Sequence, residues 1–505
     1  MKQDSLKKRY FYKLLTNIIS LPIAIITQAI IPRVLGPLNY GNFSFLSGIF
    51  GSIIGFFDSG SSIGFYTKLS QRQNEKSLIS FYWQFLLLIL IILILFIYTT
   101  IFFDFNEIIW PLQTVKFIYL GLIWAWLKWG FQIVQKILDA KGFTRQSEII
   151  RIIQKSIACL ILISIYFSES ISLEKFFYYE YSVILIYILL CYFYLNKSNI
   201  RLFPRIKVDY FFYFKEFYSY SSPLFIAALF ALFVNVLDRW FLQNFFGSIE
   251  QGFFGLAYQL AAVCFLFSSA MTPIFTREFA IAHEKKNMHK KRQLFLKFVP
   301  LLYFIAAFLS LYIVFNAEIV VNIIGGDDYQ GAITALVIMA FYPIHQTYGQ
   351  LCSAVFYSTN STIKYRNIRI FNMIISLPIS YFLIAPSDYF GLGLASQGLA
   401  IKMILTQFIG VNILLYYVCK MINLNFYNFF LHQLIVLFLL TILSFCTKYL
   451  FSFLDINYLI KLFLSGLFYL SIVLIIILIN PKIISLKRND LNKIIIKLKY
   501  KIYKS

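Results

Sequence analysis

Residues 235–277 read NVLDRWFLQNFFGSIEQGFFGLAYQLAAVCFLFSSAMTPIFTR, two apolar segments joined by a short turn, with Asp238 and Arg239 side by side in the first. A charge at the centre of a membrane helix costs roughly 2.5–3.5 kcal/mol on insertion scales, so such residues face protein, a partner or a water-filled cavity. Neighbours i and i+1 do not face each other on a helix. Asn235, Asp238 and Arg239 share one turn, and the two charges are predicted to find partners on other helices or on a ligand. The spacing at the turn recurs earlier. Gly247-x4-Gly252-x-Phe254 repeats Gly36-x4-Gly41-x-Phe43 at an offset of 211 residues, and Asn244 stands where Arg33 stands. A helix–turn–helix present in two copies is a mark of transporter halves.

Composition sets the class. The 505 residues are 60% apolar and only 13% charged, with mean hydropathy +0.75, against about 45–50% and about 25% in soluble domains. No span alternates with period two, which excludes a β-barrel. The predicted fold is an all-α polytopic membrane protein. The net charge of +23 sits in short loops between apolar spans, as topogenic charge does, and argues for no nucleic-acid partner. The six cysteines are scattered singly in or beside spans and read as small core residues. A basic start without a following small-residue cleavage site predicts a retained first span.

Stretches near the ~20 residues that a bilayer requires number fourteen. They fall at 12–32, 43–66, 80–103, 113–137, 150–167, 176–195, 219–244, 252–275, 295–315, 331–357, 368–386, 393–419, 428–450 and 459–480. The fifth is short and flanked by Arg151 and Lys155. Every second loop is basic, which places both termini in the cytoplasm. The segment near 276–294 and the tail after Pro481 are predicted to be amphipathic helices on an anionic leaflet. No loop is long enough for a soluble domain, so the bundle itself must carry the function.

Inside the spans, Lys128, Gln132, Gln135 and Lys136 recur at helical spacing on one face of the fourth, between Trp126 and Trp129. A wet cavity explains that face better than snorkelling. Asp58 in FFDSGSSIGF serves either a cavity or a helix N-terminus. His345 with Gln346 and Gln350, and Lys402 with Gln407, mark the tenth and twelfth spans. A hydrogen-bonded core role is the plainer reading of His345, whereas Lys402 is harder to dismiss. Lys128, Lys136, Arg239 and Lys402 outnumber Asp58 and Asp238, a balance that favours an anionic ligand such as phosphate. There is no GxSxG, HExxH or Walker sequence, no metal-ligand spacing and no cofactor motif. Asp327–Asp328 after Gly325–Gly326 reads as a turn.

The segments PRVLGPLNYGNFSF (32–45), 235–261, TPIFTREFA (272–280) and GGDDYQGA (325–332) resemble the polysaccharide-biosynthesis, oligosaccharide flippase family. That family belongs to the multidrug/oligosaccharidyl-lipid/polysaccharide exporter superfamily, and the resemblance runs from residue 10 to about residue 420. It implies two six-helix lobes, 1–208 and 209–421, related by a pseudo-twofold, with helices 13–14 and a basic tail appended at 422–505. It also implies a non-enzymatic transporter that moves undecaprenyl-diphosphate-linked oligosaccharide, for O-antigen, capsule or a related glycan, across a bacterial cytoplasmic membrane by alternating access. Polysaccharide polymerase machinery is a further implied partner, and no cofactor is implied. Carried over, Lys128, Arg239, Lys402, Arg33, Gln132 and Asn235 are candidates for substrate binding, and Asp58, Asp238 and His345 for ion coupling or gating. The alternatives are a multidrug or cation antiporter of the same superfamily and a lipid II-type flippase. The latter usually has an Arg-Asp pair soon after the first-span Gly, where this chain has PLNYGN.

Overall fold

The computed structural model describes residues 6–168, 171–198, 200–204, 206–359 and 361–485, and the tail predicted to lie on the leaflet falls mostly outside them. No strand occurs among these residues. The chain runs through α1 (Leu6–Asp58), α2 (Ser61–Gln71), α3 (Lys76–Phe102), the short α4 (Asn106–Ile109), α5 (Val115–Ala140), α6 (Thr144–Ser168) and α7 (Leu173–Lys197). It continues through α8 (Tyr210–Ala262), α9 (Leu266–Glu284), α10 (Met288–Phe315), α11 (Ala317–Ile324), α12 (Ala332–Met339) and α13 (Tyr342–Ser358). The last four helices are α14 (Thr362–Ile384), α15 (Ala395–Met421), α16 (Phe426–Ser452) and α17 (Tyr458–Ile479).

Eleven segments are long and apolar enough to cross a membrane among the described residues. Two of them contain a glycine with positive φ, Gly36 (φ 68°) in α1 and Gly247 (φ 78°) in α8, so each folds as two rods. Counting those rods separately, and α12–α13 as one interrupted span, gives fourteen. The protein is a multi-pass, all-helical membrane protein. The fifth span is a full helix, because α6 starts at Thr144 and carries Arg151 and Lys155 within it, a turn or more past its start. The amphipathic element expected near 276–294 is absent. There α9 and α10 run on as long helices with only Lys285–Asn287 between them. Gly326 at φ 78° followed by a single 3-10 turn at Asp327–Tyr329 confirms the acidic pair as a turn. Five of the six free cysteines are buried; Cys446 is exposed.

Contacts group the chain into two compact units, 1–252 with 384–391, and 253–383 with 392–505. In the first unit the repeated glycines explain themselves. A methyl placed on Gly41 would lie 1.6 Å from the Ser248 carbonyl oxygen, and one on Gly252 would lie 2.2 Å from that of Pro37. Positions 37 and 248, and 41 and 252, are equivalent in the repeat, so the contact is reciprocal, as across a local twofold axis. Small residues at such a crossing let two backbones meet, which is what drives helix association where lipid removes the hydrophobic incentive. Hydrogen bonds surround the crossing. Ser248 Oγ donates to Asn42 Oδ1 at 2.5 Å, Gln113 donates to the same oxygen at 2.8 Å, and Gln243 donates to Ser248 Oγ at 2.8 Å. Phe43, the aromatic of the motif, packs edge-on against Trp124 and Phe176 with centroids at 5.2 and 4.9 Å.

A charged cluster ties the α2–α3 connection to the start of α8. Arg72 Nη2 donates to both oxygens of Glu216 at 2.8 Å, Lys68 adds a contact at 2.9 Å, and Arg72 Nε pairs with Glu75 at 3.0 Å. Burial pushes the Glu216 carboxyl up, but the Arg72 and Lys68 hydrogen bonds and charges outweigh it and leave it below the usual range. A carboxylate lowered on folding stabilises the protein above its unfolded value of about 4.3 and loses that stabilisation as the pH falls through the folded value. Glu216→Gln is therefore expected to lower the melting temperature at pH 7 and to have no effect at a pH below both values. Thermal unfolding in detergent across that range checks this.

Candidate functional site

The polar face of α5 opens on a cavity of about 460 Å³ inside the first unit, bounded by α1, α5, α6 and α7. Its charged lining is Lys128, Arg151, Lys155 and Glu180, three cations against one carboxylate, and Gln132, Gln135 and Gln154 supply amides. Arg151 is paired with Glu148 at 3.4 Å. Neither Lys128 nor Lys155 has a carboxylate within ion-pair distance among the described residues. The Lys128 ammonium instead lies 4.2 Å from the centroid of the Trp124 ring, an attraction of about 0.5–2 kcal/mol that leaves the positive charge in place. Trp124 in turn donates its indole N–H to Glu180 at 3.0 Å. One indole thus holds a cation on its face and an anion at its edge.

A second cavity of about 240 Å³ shares Lys128 and Gln132 with the first and is completed by Asp58, Trp124, Trp129 and the bare faces of Gly51 and Gly55. Asp58 accepts from the Ser62 backbone N–H and hydroxyl, both at 2.7 Å, from Ser61 Oγ at 3.0 Å and from Tyr82 OH at 3.3 Å. It therefore satisfies one of the free N–H groups at the start of α2, that of Ser62, the helix-terminus role that its sequence context allowed. Lys136 reaches the same network through a hydrogen bond to Ser62 Oγ.

The structure distributes the other candidates. Arg239 donates to Ser44 Oγ at 2.8 Å and to Gln251 Oε1 at 3.2 Å, and Gln251 returns a bond to the Arg239 carbonyl at 2.5 Å. Because Gln251 lies beyond the Gly247 kink, Arg239 links the two rods of α8 to each other and to α1. Its stem also fills the notch at Gly48, where a methyl would lie 2.9 Å from Nε. Asp238 is buried beside it, while Asn235 and Arg33 are exposed in this structure. None of these four lines the Lys128 cavities. Removing a half-buried charged donor costs about 1.5–3 kcal/mol, so Arg239→Ala is expected to lower the melting temperature by several degrees. If the variant instead loses export at unchanged stability, Arg239 acts on substrate.

Lys402 and His345 belong to the second unit, where both are buried. His345 packs edge-on against Phe408 with centroids 5.1 Å apart. That unit has its own small cavity of about 100 Å³, lined by Gln346, Gln350, Asn372, Gln407 and a single charge, Arg369. Sequence reasoning missed the contributions of α6 and α7. Arg151, Gln154 and Lys155 recur at i, i+3 and i+4 at the start of the predicted fifth span, a signal visible in the chain although the two charges also read as loop residues. Glu180 lies within the predicted sixth span and was passed over.

Several solved structures share this fold. The chain is similar to the inward-facing conformation of a multidrug resistance MATE family transporter of the MOP superfamily. The TM-score is 0.64 at 13% identity, covering 79% of this chain and 94% of that one. It is equally similar to the lipid II flippase MurJ in an inward closed conformation, with a TM-score of 0.64 at 13% identity over 91% and 98% of the two chains. An outward-facing MATE family transporter follows, with a TM-score of 0.55 at 15% identity over 83% and 96%. These likenesses show the fold, which the chain shares with those solved structures. The sequence profile of the polysaccharide biosynthesis protein family matches residues 6–279, and the chain belongs to that family. No curated protein sequence matches it.

Proposed function

We propose that the protein is a flippase that moves undecaprenyl-diphosphate-linked oligosaccharide across a bacterial cytoplasmic membrane, for O-antigen, capsule or a related surface glycan. The observation that carries this reading is the pair of ammonium groups, Lys128 and Lys155, that line one cavity with no carboxylate within ion-pair distance among the described residues. A diphosphate supplies the missing negative charge, and the amides of Gln132, Gln135 and Gln154 suit a hydrated glycan. Moving such a headgroup through hydrocarbon is prohibitive; a cationic, wet interior lowers that barrier. The two similar halves would then rock to expose the cavity to either side in turn, with both termini in the cytoplasm and the polymerase machinery receiving the product.

Reconstitution tests the proposal. Proteoliposomes loaded with a fluorescent polyprenyl-diphosphate oligosaccharide are expected to show protein-dependent transfer between leaflets, and ethidium efflux is not expected. Ethidium efflux without lipid transfer would favour the antiporter alternative, whose cationic cargo a cavity with this charge balance repels.

A further inference from the structure

The small cavity of the second unit is one that the diphosphate reading does not use. It is framed by α13, α14 and α15, and Gln407 and Gly410 flank the midpoint of α15, well away from either end of that span. Two bare backbone positions make room for its walls. A methyl on Gly410 would lie 2.8 Å from the Asn372 amide nitrogen, and one on Gly349 would lie 3.2 Å from that of Gln407. Glycine at both places lets amide side chains stand between helices where alanine would press on them. The polar groups around the space are unbalanced. Gln407 donates to the side-chain oxygen of Gln346, and Thr272 donates to that of Gln350 at 3.0 Å. The amide N–H groups of Gln346 and Gln350 are left over, and the Asn372 side chain makes no hydrogen bond, among the described residues. Arg369 is the only charge in the lining. Its guanidinium has no carboxylate within ion-pair distance and makes no hydrogen bond among the described residues. Unused donors and an uncompensated positive charge are unfavourable inside a membrane segment such as α14. An anion rich in acceptor atoms relieves both.

Size and charge narrow the choice of anion. A cavity of about 100 Å³ is well below the roughly 300–1,000 Å³ of pockets for drug-sized ligands, so it takes a single functional group. One guanidinium matches one negative charge, and a carboxylate offers about four acceptor positions to the planar fork and the flanking amides. A phosphate or diphosphate would bring more charge than the site balances. We propose that this cavity is a carboxylate-binding site, with Arg369 donating to both oxygens and Gln346, Gln350 and Asn372 donating around them. The inference uses residues of the second unit alone and stands apart from the diphosphate reading of Lys128. The carboxylate arrives either on an acidic sugar of a cargo or as a small free acid, and probes of both kinds separate these sources.

Calorimetric titration of the full-length protein in nanodiscs, with empty nanodiscs subtracted and ionic strength held constant, tests the site. The probes are acetate, its neutral isostere acetamide, chloride, glucuronate and glucose. Acetate is expected to bind, acetamide to give no signal and chloride to bind more weakly than acetate. Arg369→Gln removes the charge and is expected to weaken acetate by about tenfold or more. Arg369→Lys, which keeps the charge without the fork, should retain part of the affinity. Gly410→Ala presses the Asn372 amide out of place with the charge intact, and should also weaken acetate. Lys128→Ala is expected to leave acetate binding unchanged. Equal binding of acetate and acetamide, or chloride bound as tightly as acetate, would overturn the carboxylate site. So would wild-type acetate affinity in both Arg369→Gln and Gly410→Ala, or loss of acetate binding in Lys128→Ala. Glucuronate bound at least as tightly as acetate, with glucose inert, assigns the carboxylate to an acidic sugar. Glucuronate shut out while acetate binds assigns it to a small free acid.

Discussion

Gly41→Ala is expected to abolish the folded protein. The added methyl would sit 1.6 Å from the backbone oxygen of Ser248, and Gly252→Ala would place one 2.2 Å from that of Pro37. Overpacking a well-filled interior typically costs about 1–3 kcal/mol, and more where no side chain can swing aside. Here the obstacle is main chain on both sides, and separating the rods also breaks the Ser248–Asn42–Gln113 hydrogen bonds. Gly51 and Gly55 provide the control. A methyl there meets nothing within 4 Å, and alanine is favoured over glycine in a helix by about 1 kcal/mol. Gly51→Ala should therefore keep or raise the melting temperature. Size-exclusion profiles of fluorescent fusions, followed by thermal unfolding, distinguish the two pairs. Monodisperse Gly41→Ala protein of wild-type stability would show that the reciprocal crossing is not held as tightly as described.

The second large effect concerns Lys128. It lines both polar cavities and carries a charge that no carboxylate neutralises within ion-pair distance among the described residues. A charge-assisted hydrogen bond is worth about 1.5–3 kcal/mol, so Lys128→Ala is expected to lower export of the surface glycan by roughly ten- to a hundredfold in a strain lacking the wild-type gene. Lys128→Arg should retain part of the activity, because the cation persists while the fit over Trp124 changes. Folding should be little affected, since the side chain makes no hydrogen bond among the described residues and the core around Ile133 and Val134 is untouched. Glycan export at the wild-type level from Lys128→Ala cells, with the protein present in equal amount, would remove the cationic cavity from the mechanism.

The outline of this fold was legible because lipid imposes strict demands on sequence. Apolar runs of fixed length follow from the solvent, and the helices match them. The reciprocal contact of Gly41 and Gly252 was half-visible. The repeat announced two similar kinks, but not that the kinks grip each other, because equivalence in sequence says nothing about adjacency. The site was legible only in part. Lys128 and Gln132 stood out as polar residues deep in an apolar span, whereas Arg151 and Lys155 looked like loop charges, since α6 extends about two turns beyond its apolar core. Arg239 was conspicuous for the same reason as Lys128, yet its guanidinium bonds to Ser44 and Gln251 across a kink. A span with an internal charge signals only that the charge has company, and the sequence does not say whether that company is protein or cargo.

The most direct test of the account asks whether the space beside Lys128 is wet and positive. A single cysteine at Gln132, in a background with the six native cysteines replaced, reports from the wall that both polar cavities share. The larger of these carries three cations against one carboxylate, and a positive excess in a cleft raises the local concentration of anionic solutes. An anionic methanethiosulfonate reagent is expected to modify this cysteine faster than a cationic one, each normalised to its rate with a free thiol. Added Lys128→Ala is expected to reduce the preference, and inorganic pyrophosphate to protect the site. A cysteine that neither reagent reaches, or one that reacts faster with the cation, would contradict a wet, positive cavity.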